Sequence, residues 1–194
     1  MTARTRQSLH LLSLCLVLLS TGCSSLISVT RDKPIGENYG TRTTGAYVDD
    51  QLIETKSKVN LVKTDERFKN AKVSVDSYNG VVLLTGHVLA GDMRDIATTT
   101  VQKIRKVRRV HNELEINPPR SWAASIGDAW LSTKVKSRLL FTKNIPSQRV
   151  EVITENGVVF LMGLVSHNEA EMIVASVRQT YGLQKIVRVF EYID

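Results

Sequence analysis

Two stretches, KVSVDSYNGVVLLTGHV at 72–88 and RVEVITENGVVFLMGLV at 149–165, follow the same plan. Each has an alternating apolar run, an Asn-Gly pair, a second apolar run and a late glycine. Asn-Gly between such runs is the strongest short-range hairpin signal, because a type I′ turn needs positive φ at both central residues. Asn79-Gly80 falls on Asn156-Gly157, and Gly86 on Gly163. Reading the runs with period two sets Val73 and Val75 with Val81 and Leu83 on one face. In the second stretch Val150 and Val152 answer with Val158 and Phe160.

The correspondence extends outward on both sides. Upstream, DDQLIETKSKVNLV (49–62) superposes on GDAWLSTKVKSRLL (127–140), placing Asp50 on Asp128, Ile53 on Leu131 and Leu61 on Leu139. Both read as helices, roughly 50–63 and 128–141, with Asp50 and Asp128 as N-caps. Downstream, second helices are predicted over about 91–105 and 167–181, opened by Asp92, Asp95, Glu169 and Glu171, whose charge favours the helix dipole. RRVHNELEI and QKIVRVFEYI then read as closing strands. Two indels leave the order of elements intact, so this is a duplicated domain.

The fold class is therefore α+β: two tandem αββαβ domains, each a three-stranded mixed sheet packed by two helices. The first spans 48–117, a linker 118–126, and the second 127–194. Two of the four prolines fall in NPPRSWAAS, which marks the boundary, with Trp122 read as a plug between the domains.

The N-terminus has a different character. Arg4 and Arg6 precede an apolar run, LHLLSLCLVLLS, too short to span a bilayer as a mature helix. Residues 1–22 thus read as a secretory signal. Of the two cysteines, Cys15 lies within that signal and Cys23 follows Gly22 directly. LLSTGC resembles a bacterial lipobox, although Ser20 stands where Leu is commonest, and Cys23 is the expected lipidation site. One mature cysteine cannot form an internal disulfide, so the fold must rest on its core. Several acyl chains on one residue would anchor firmly, whereas a single chain binds only marginally. Ser24 stands where lipoproteins retained at the inner membrane typically carry Asp, and by that sorting rule the outer membrane is expected. Residues 23–47, polar and holding Gly36, Gly40 and Gly45, read as a lipidated N-terminus and flexible tether. Removing Arg4 and Arg6 with the signal takes the net charge from +7 to +5 (24 basic against 19 acidic residues). That mild excess favours an anionic membrane surface at short range and falls short of a dedicated nucleic-acid binder.

The helix at 128–141 carries two apolar faces. Leu131, Val135 and Leu139 form the stripe that faces a sheet. Trp130, Lys134, Ser137 and Phe141 share a neighbouring face, with Thr133 and Leu140 along its edge. A Trp beside lysines suits a lipid headgroup boundary, its ring in the apolar part and its N–H toward water. It equally suits a seam between two domains, and the residues alone leave both open. The first copy has Leu52 for Trp130, Val59 for Ser137 and Val62 for Leu140, expected to pack against the other domain.

Other features point away from catalysis. KIRKVRRV (103–110) lacks interleaved aromatics and reads as a solvated helix end favoured by the dipole, with no nucleic-acid role. His87, His111 and His167 have no metal-ligand spacing, and no nucleophile elbow or phosphate-cradling loop appears. The expectation is a non-enzyme with no catalytic residues, metal or cofactor.

The helix, the Asn-Gly hairpin followed by VxLxG, and the close VRRVHNEL together resemble the BON domain, a bacterial periplasmic module. Two such domains behind a lipobox resemble dual-BON outer-membrane lipoproteins, with the match densest at WLSTKVKSRLL and VITENGVVFLMGLVSHNEAE. The resemblance implies a lipoprotein on the periplasmic face of the outer membrane that binds anionic phospholipid; the expected lipids are phosphatidylglycerol and cardiolipin, and the expected state is a monomer. It implies contact through the first helix of the second domain, where Trp130 and Leu140 match the family's pattern; together with the face around them, Trp130, Leu131, Thr133, Lys134, Ser137, Arg138, Leu140 and Phe141 are the expected contact set. Enrichment at division sites and support of the permeability barrier follow from the same resemblance. The rival expectation is an adaptor using this apolar face to dock an envelope-assembly protein.

Overall fold

The computed structural model describes residues 40–117 and 122–194. The signal, Cys23 and most of the tether lie outside the described residues, as does the side chain of Trp122. The first repeat runs α1 (Thr44–Thr64), a 3-10 turn (Glu66–Lys69), β1 (Lys72–Tyr78), β2 (Val81–Val88), α2 (Asp92–Gln102), β3 (Arg109–Asn112) and β4 (Glu115–Ile116). The second runs α3 (Trp122–Phe141), a 3-10 turn (Ser147–Arg149), β5 (Val150–Glu155), β6 (Val158–Val165), α4 (His167–Val177) and β7 (Lys185–Tyr192). Thr44–Tyr47 of the stretch read as tether and 122–126 of the stretch read as linker are therefore helical.

Each repeat is an αββαβ unit with a mixed sheet. In the first, β1 pairs antiparallel with β2, and β2 pairs parallel with β3. The closing strand is broken where Leu114 leaves the ladder to enter the core, and β4 resumes the pairing with β2. In the second, β5-β6-β7 repeats the arrangement without a break. Both Asn-Gly pairs adopt the type I′ turn, with φ of 52° and 76° at Asn79 and Gly80 and of 54° and 72° at Asn156 and Gly157. At Gly86 a side chain is impossible. Its φ is +105°, and a Cβ would lie 2.0 Å from the carbonyl oxygen of Lys72.

The register corrects the face assignment of the hairpins. Across the two-residue turn Tyr78 faces Val81, so Val75 lies opposite Leu84. Val75, Val82 and Leu84 pack with Ile53, Leu61, Met93, Ala97 and Val101 of the helices. Val81 and Leu83, expected beside Val73 and Val75, lie on the other face. The second repeat behaves alike: Val152, Val159 and Leu161 meet the helices, while Val158 and Phe160 point away. A one-residue slip in pairing exchanges the faces, and VVLL offers no alternation to prevent the misreading.

That second face is the domain interface. Tyr78, Val81 and Leu83 of the first sheet pack against Phe160, Met162, Leu164 and Val189 of the second. The result is four layers, helices–sheet–sheet–helices, with two helix-facing cores and a third between the sheets. Every residue of β2 is buried as a consequence. The three clusters draw only on residues from Ile53 to Phe190.

Polar pairs around the seam follow an approximate two-fold. Asn79 Nδ2 donates to Glu191 at 2.9 Å, and Asn156 Nδ2 donates to Glu115 at 3.2 Å. Each Asn is the other's counterpart, and so is each Glu. The tandem chain thus contains the kind of self-complementary interface that a symmetric dimer uses. Arg108 pairs with the same Glu191, and Tyr78 donates its hydroxyl to the Arg149 carbonyl at 3.1 Å. His87 is buried at the seam, with Glu155 at 3.5 Å and Glu115 at 3.8 Å from its two ring nitrogens.

Asp50 and Asp128 are not N-caps. The α1 N-cap is Thr43, whose hydroxyl accepts from the Ala46 N–H at 3.1 Å. Asp50 lies within α1, fully buried, and clasps the hairpin turn. Its carboxylate accepts from the Asn79 and Gly80 N–H groups at 2.8 Å each, from Ser77 Oγ at 2.7 Å and from Arg42 Nη1 at 2.9 Å. Asp128 accepts from the Asn156 and Gly157 N–H groups, also at 2.8 Å. The two N–H groups at a type I′ tip point out of the ladder side by side, and a carboxylate satisfies both at once. Glu169, by contrast, does serve α4, in a capping box with Ser166.

The basic run at 103–110, expected as a helix end, starts just beyond α2, passes through the turn that follows, and ends on Arg109 and Val110 of β3. Lys106 pairs there with Asp49 at 2.5 Å, and Arg108 crosses to the second domain.

Candidate functional site: the outer face of the third helix

Because the sheets occupy the interface, the helices lie on the outside. This answers the question left open for Trp130. The first domain does not cover it, and its side chain is 64% exposed. Phe141, three turns along, is 84% exposed. Lys134 lies between them on the same face, its Nζ 5.7 Å from the Trp130 ring centre, within reach of a cation–π interaction. Ile126, one turn before Trp130 and also exposed, extends the stripe.

Beside this stripe runs an open groove of about 700 Å³ between α3 and the loop that follows α4. Trp130, Thr133, Lys134, Ser137, Arg138 and Phe141 form its helix side. Gln179 and Tyr181 form the other. Arg138 Nη1 donates to Gln179 Oε1 at 3.0 Å and ties the two sides together. No lining residue carries a carboxylate, while Lys134 and Arg138 supply two cations.

Two members of the expected contact set fall elsewhere. Leu131 is only 5% exposed and packs in the core against the second sheet, so it cannot reach a ligand on this face. Leu140 is exposed but lies across the helix, bordering a second groove of about 410 Å³ with Lys136, Glu151, Arg42 and Tyr78. Burial raises the Glu151 carboxyl above its ordinary range, with Glu54 and Asp50 adding like charge. Burial likewise pushes Asp76 up to about 6, with Glu54 and Glu151 contributing.

Tyr181 was not legible as a site residue, because the predicted helix over 167–181 placed it in the last helical turn, whereas α4 ends at Val177 and leaves Tyr181 in a polar loop, RQTYGLQK. At 91% it is the most exposed large apolar side chain among the described residues. Its signal was the repeat itself. Lys106 and Gly182 both take positive φ, and Arg108 N and Gln184 N donate to Gly80 O and Gly157 O, which fixes Arg105 as the counterpart of Tyr181.

On the first domain, Leu52 and Val59 are 49% and 46% exposed, which corrects the expectation that they pack on the neighbouring domain. Val62 is partly buried, and it packs against its own domain's core. The sheets take that interface, so the helix faces are left outside. No helix among the described residues is long and apolar enough to cross a membrane. Nor do the described residues contain a cluster of three or more His, Cys, Asp or Glu side chains placed to hold a metal.

Two αββαβ units joined through their sheets, with an aromatic and basic face on the second, define a class. The BON-domain model matches residues 49–118 and 127–194, and the chain belongs to the BON family. It is 38% identical over 154 residues to a Haemophilus influenzae protein named outer membrane lipoprotein DolP, covering 79% of each chain. A second relative, the 21 kDa hemolysin of Actinobacillus pleuropneumoniae, is 31% identical over 153 residues, again covering 79% of each.

Proposed function

We propose that the chain is an outer-membrane lipoprotein, anchored through Cys23 and facing the periplasm, that engages anionic phospholipid through the outer face of α3. The supporting observation is the pairing of exposed Trp130 and Phe141 with Lys134 and Arg138 around a groove that has no carboxylate. Aromatic rings of this kind partition to the headgroup boundary, lysine stems snorkel toward phosphate, and each cation near an anionic surface contributes about 1 kcal/mol. The first copy lacks the aromatic pair, having Leu52 and Lys63 at these positions, which makes the second domain the membrane reader and the first its scaffold. Phosphatidylglycerol and cardiolipin are the fitting ligands, and support of envelope integrity, with enrichment at division sites, is the role this binding serves. No enzymatic activity is proposed.

An NMR titration of the chain expressed from Ser24 with phosphatidylglycerol micelles tests this. Shift changes concentrated at 126–141 are expected, and they should weaken as salt rises. Absence of any change refutes the reading. A second reading has one observation behind it: Val48, Leu52 and Val59 form an exposed apolar stripe on α1. A protein partner docked there would give salt-insensitive binding without lipid.

A further inference from the structure

We propose that Tyr181, at the tip of the loop after α4, is a second point of membrane insertion, so that the bilayer meets a helix and a loop together. The inference rests on the membrane reading above and extends it to a residue outside the helix. Tyr181 is almost fully exposed, and it borders the same groove as Trp130 and Phe141. Gly182 follows with φ +93° and open space around it, so the chain turns back immediately and leaves the ring at the tip. The Arg138–Gln179 hydrogen bond braces the loop on α3 two residues before the tyrosine.

The duplication provides the control. Trp130, Phe141 and Tyr181 stand where the first copy has Leu52, Lys63 and Arg105. All three aromatic positions therefore differ together between the repeats, on two separate elements that share no chain segment. The equivalent groove of the first domain has Leu52, Lys56 and Arg105 among its lining residues, includes the carboxylate of Asp49, and holds no aromatic ring. Tyrosine suits the position chemically, since its ring can enter the apolar boundary while its hydroxyl stays at headgroup level. Charge complementarity selects the occupant, an anionic phospholipid surface, because two cations and no carboxylate line the groove between the helix and the loop.

The test uses the chain from Ser24, which retains every core residue, and vesicles of phosphatidylglycerol mixed with phosphatidylcholine. Tyr181→Ser should bind about tenfold more weakly than the parent, and Tyr181→Phe should stay within about twofold of it. Amides 179–183 should be broadened by a spin-labelled lipid in the parent protein. Unfolding midpoints should be unchanged in both variants, given the exposure of the side chain. If Tyr181→Ser binds like the parent while Trp130→Glu does not, the loop insertion is refuted and the membrane reading stands. If Trp130→Glu also binds like the parent, the membrane reading itself fails. Equal losses in the Ser and Phe variants would assign the effect to the hydroxyl and refute insertion of the ring.

Discussion

Replacing Asp50 by alanine tests the clasp between α1 and the first hairpin. The carboxylate is fully buried and accepts four hydrogen bonds, two of them from the backbone of the Asn-Gly turn. Alanine would leave the buried Gly80 N–H and the half-buried Asn79 N–H without this acceptor, at about 1–3 kcal/mol each, and would remove the carboxylate partner of Arg42. Truncating one partner of a buried pair typically costs about 3–5 kcal/mol, so a loss of about 4 kcal/mol is expected. Asp128 accepts two backbone hydrogen bonds in a half-buried setting, and Asp128→Ala should cost about 2 kcal/mol by the same reckoning. Urea unfolding followed by far-UV circular dichroism gives both values. Asp50→Ser discriminates between roles. A helix N-cap tolerates serine with little loss, whereas a clasp does not, because one hydroxyl cannot replace two carboxylate oxygens. If Asp50→Ser costs less than about 0.5 kcal/mol, the clasp is wrong and the residue acts as a cap after all.

Two further predictions concern the seam. Asp76 has its carboxyl raised from 3.8 to about 6, first by burial and then by Glu54 and Glu151. A raised acid favours its protonated form in the fold, so the ionised carboxylate penalises folding increasingly as pH rises from about 4 through 6. Asp76→Asn should therefore stabilise the protein at pH 7.5, by up to roughly 3 kcal/mol at 1.36 kcal/mol per pK unit, and change little at pH 4. Equal effects at both pH values would contradict this. Phe160→Ala, which empties the inter-sheet core, should cost about 3–5 kcal/mol by urea unfolding, and a value under 1 would mean that the sheets do not pack as described.

The repeat, the element order and the hairpin turns were legible because each rests on local chemistry. Asn-Gly fixes its turn whatever surrounds it, and Ile53 and Leu61 recur at Leu131 and Leu139. What sequence could not settle was the second face of each sheet. A strand buried on both sides loses alternation, so Val82 and Val81 look alike until the pairing is known. The same gap misplaced Leu52 and Val59, because a helix face that seems to need a cover is free once the sheets have met. Asp50 and Asp128 were misread for a related reason. An aspartate near a helix start has a local explanation as a cap, and its real partners lie 27–30 residues away at the hairpin. Within the site, Trp130, Lys134 and Phe141 were visible as departures from the core stripe. Tyr181 could emerge only when loops of different sequence were aligned by their backbone hydrogen bonds.

The proposed lipid contact is the outer face of α3. Its most direct test is vesicle binding by the chain from Ser24 and by its Trp130→Glu variant, with and without phosphatidylglycerol. The parent should bind only vesicles containing the anionic lipid, and the variant should bind at least tenfold more weakly with the same unfolding midpoint. Equal binding by a folded Trp130→Glu variant would contradict it.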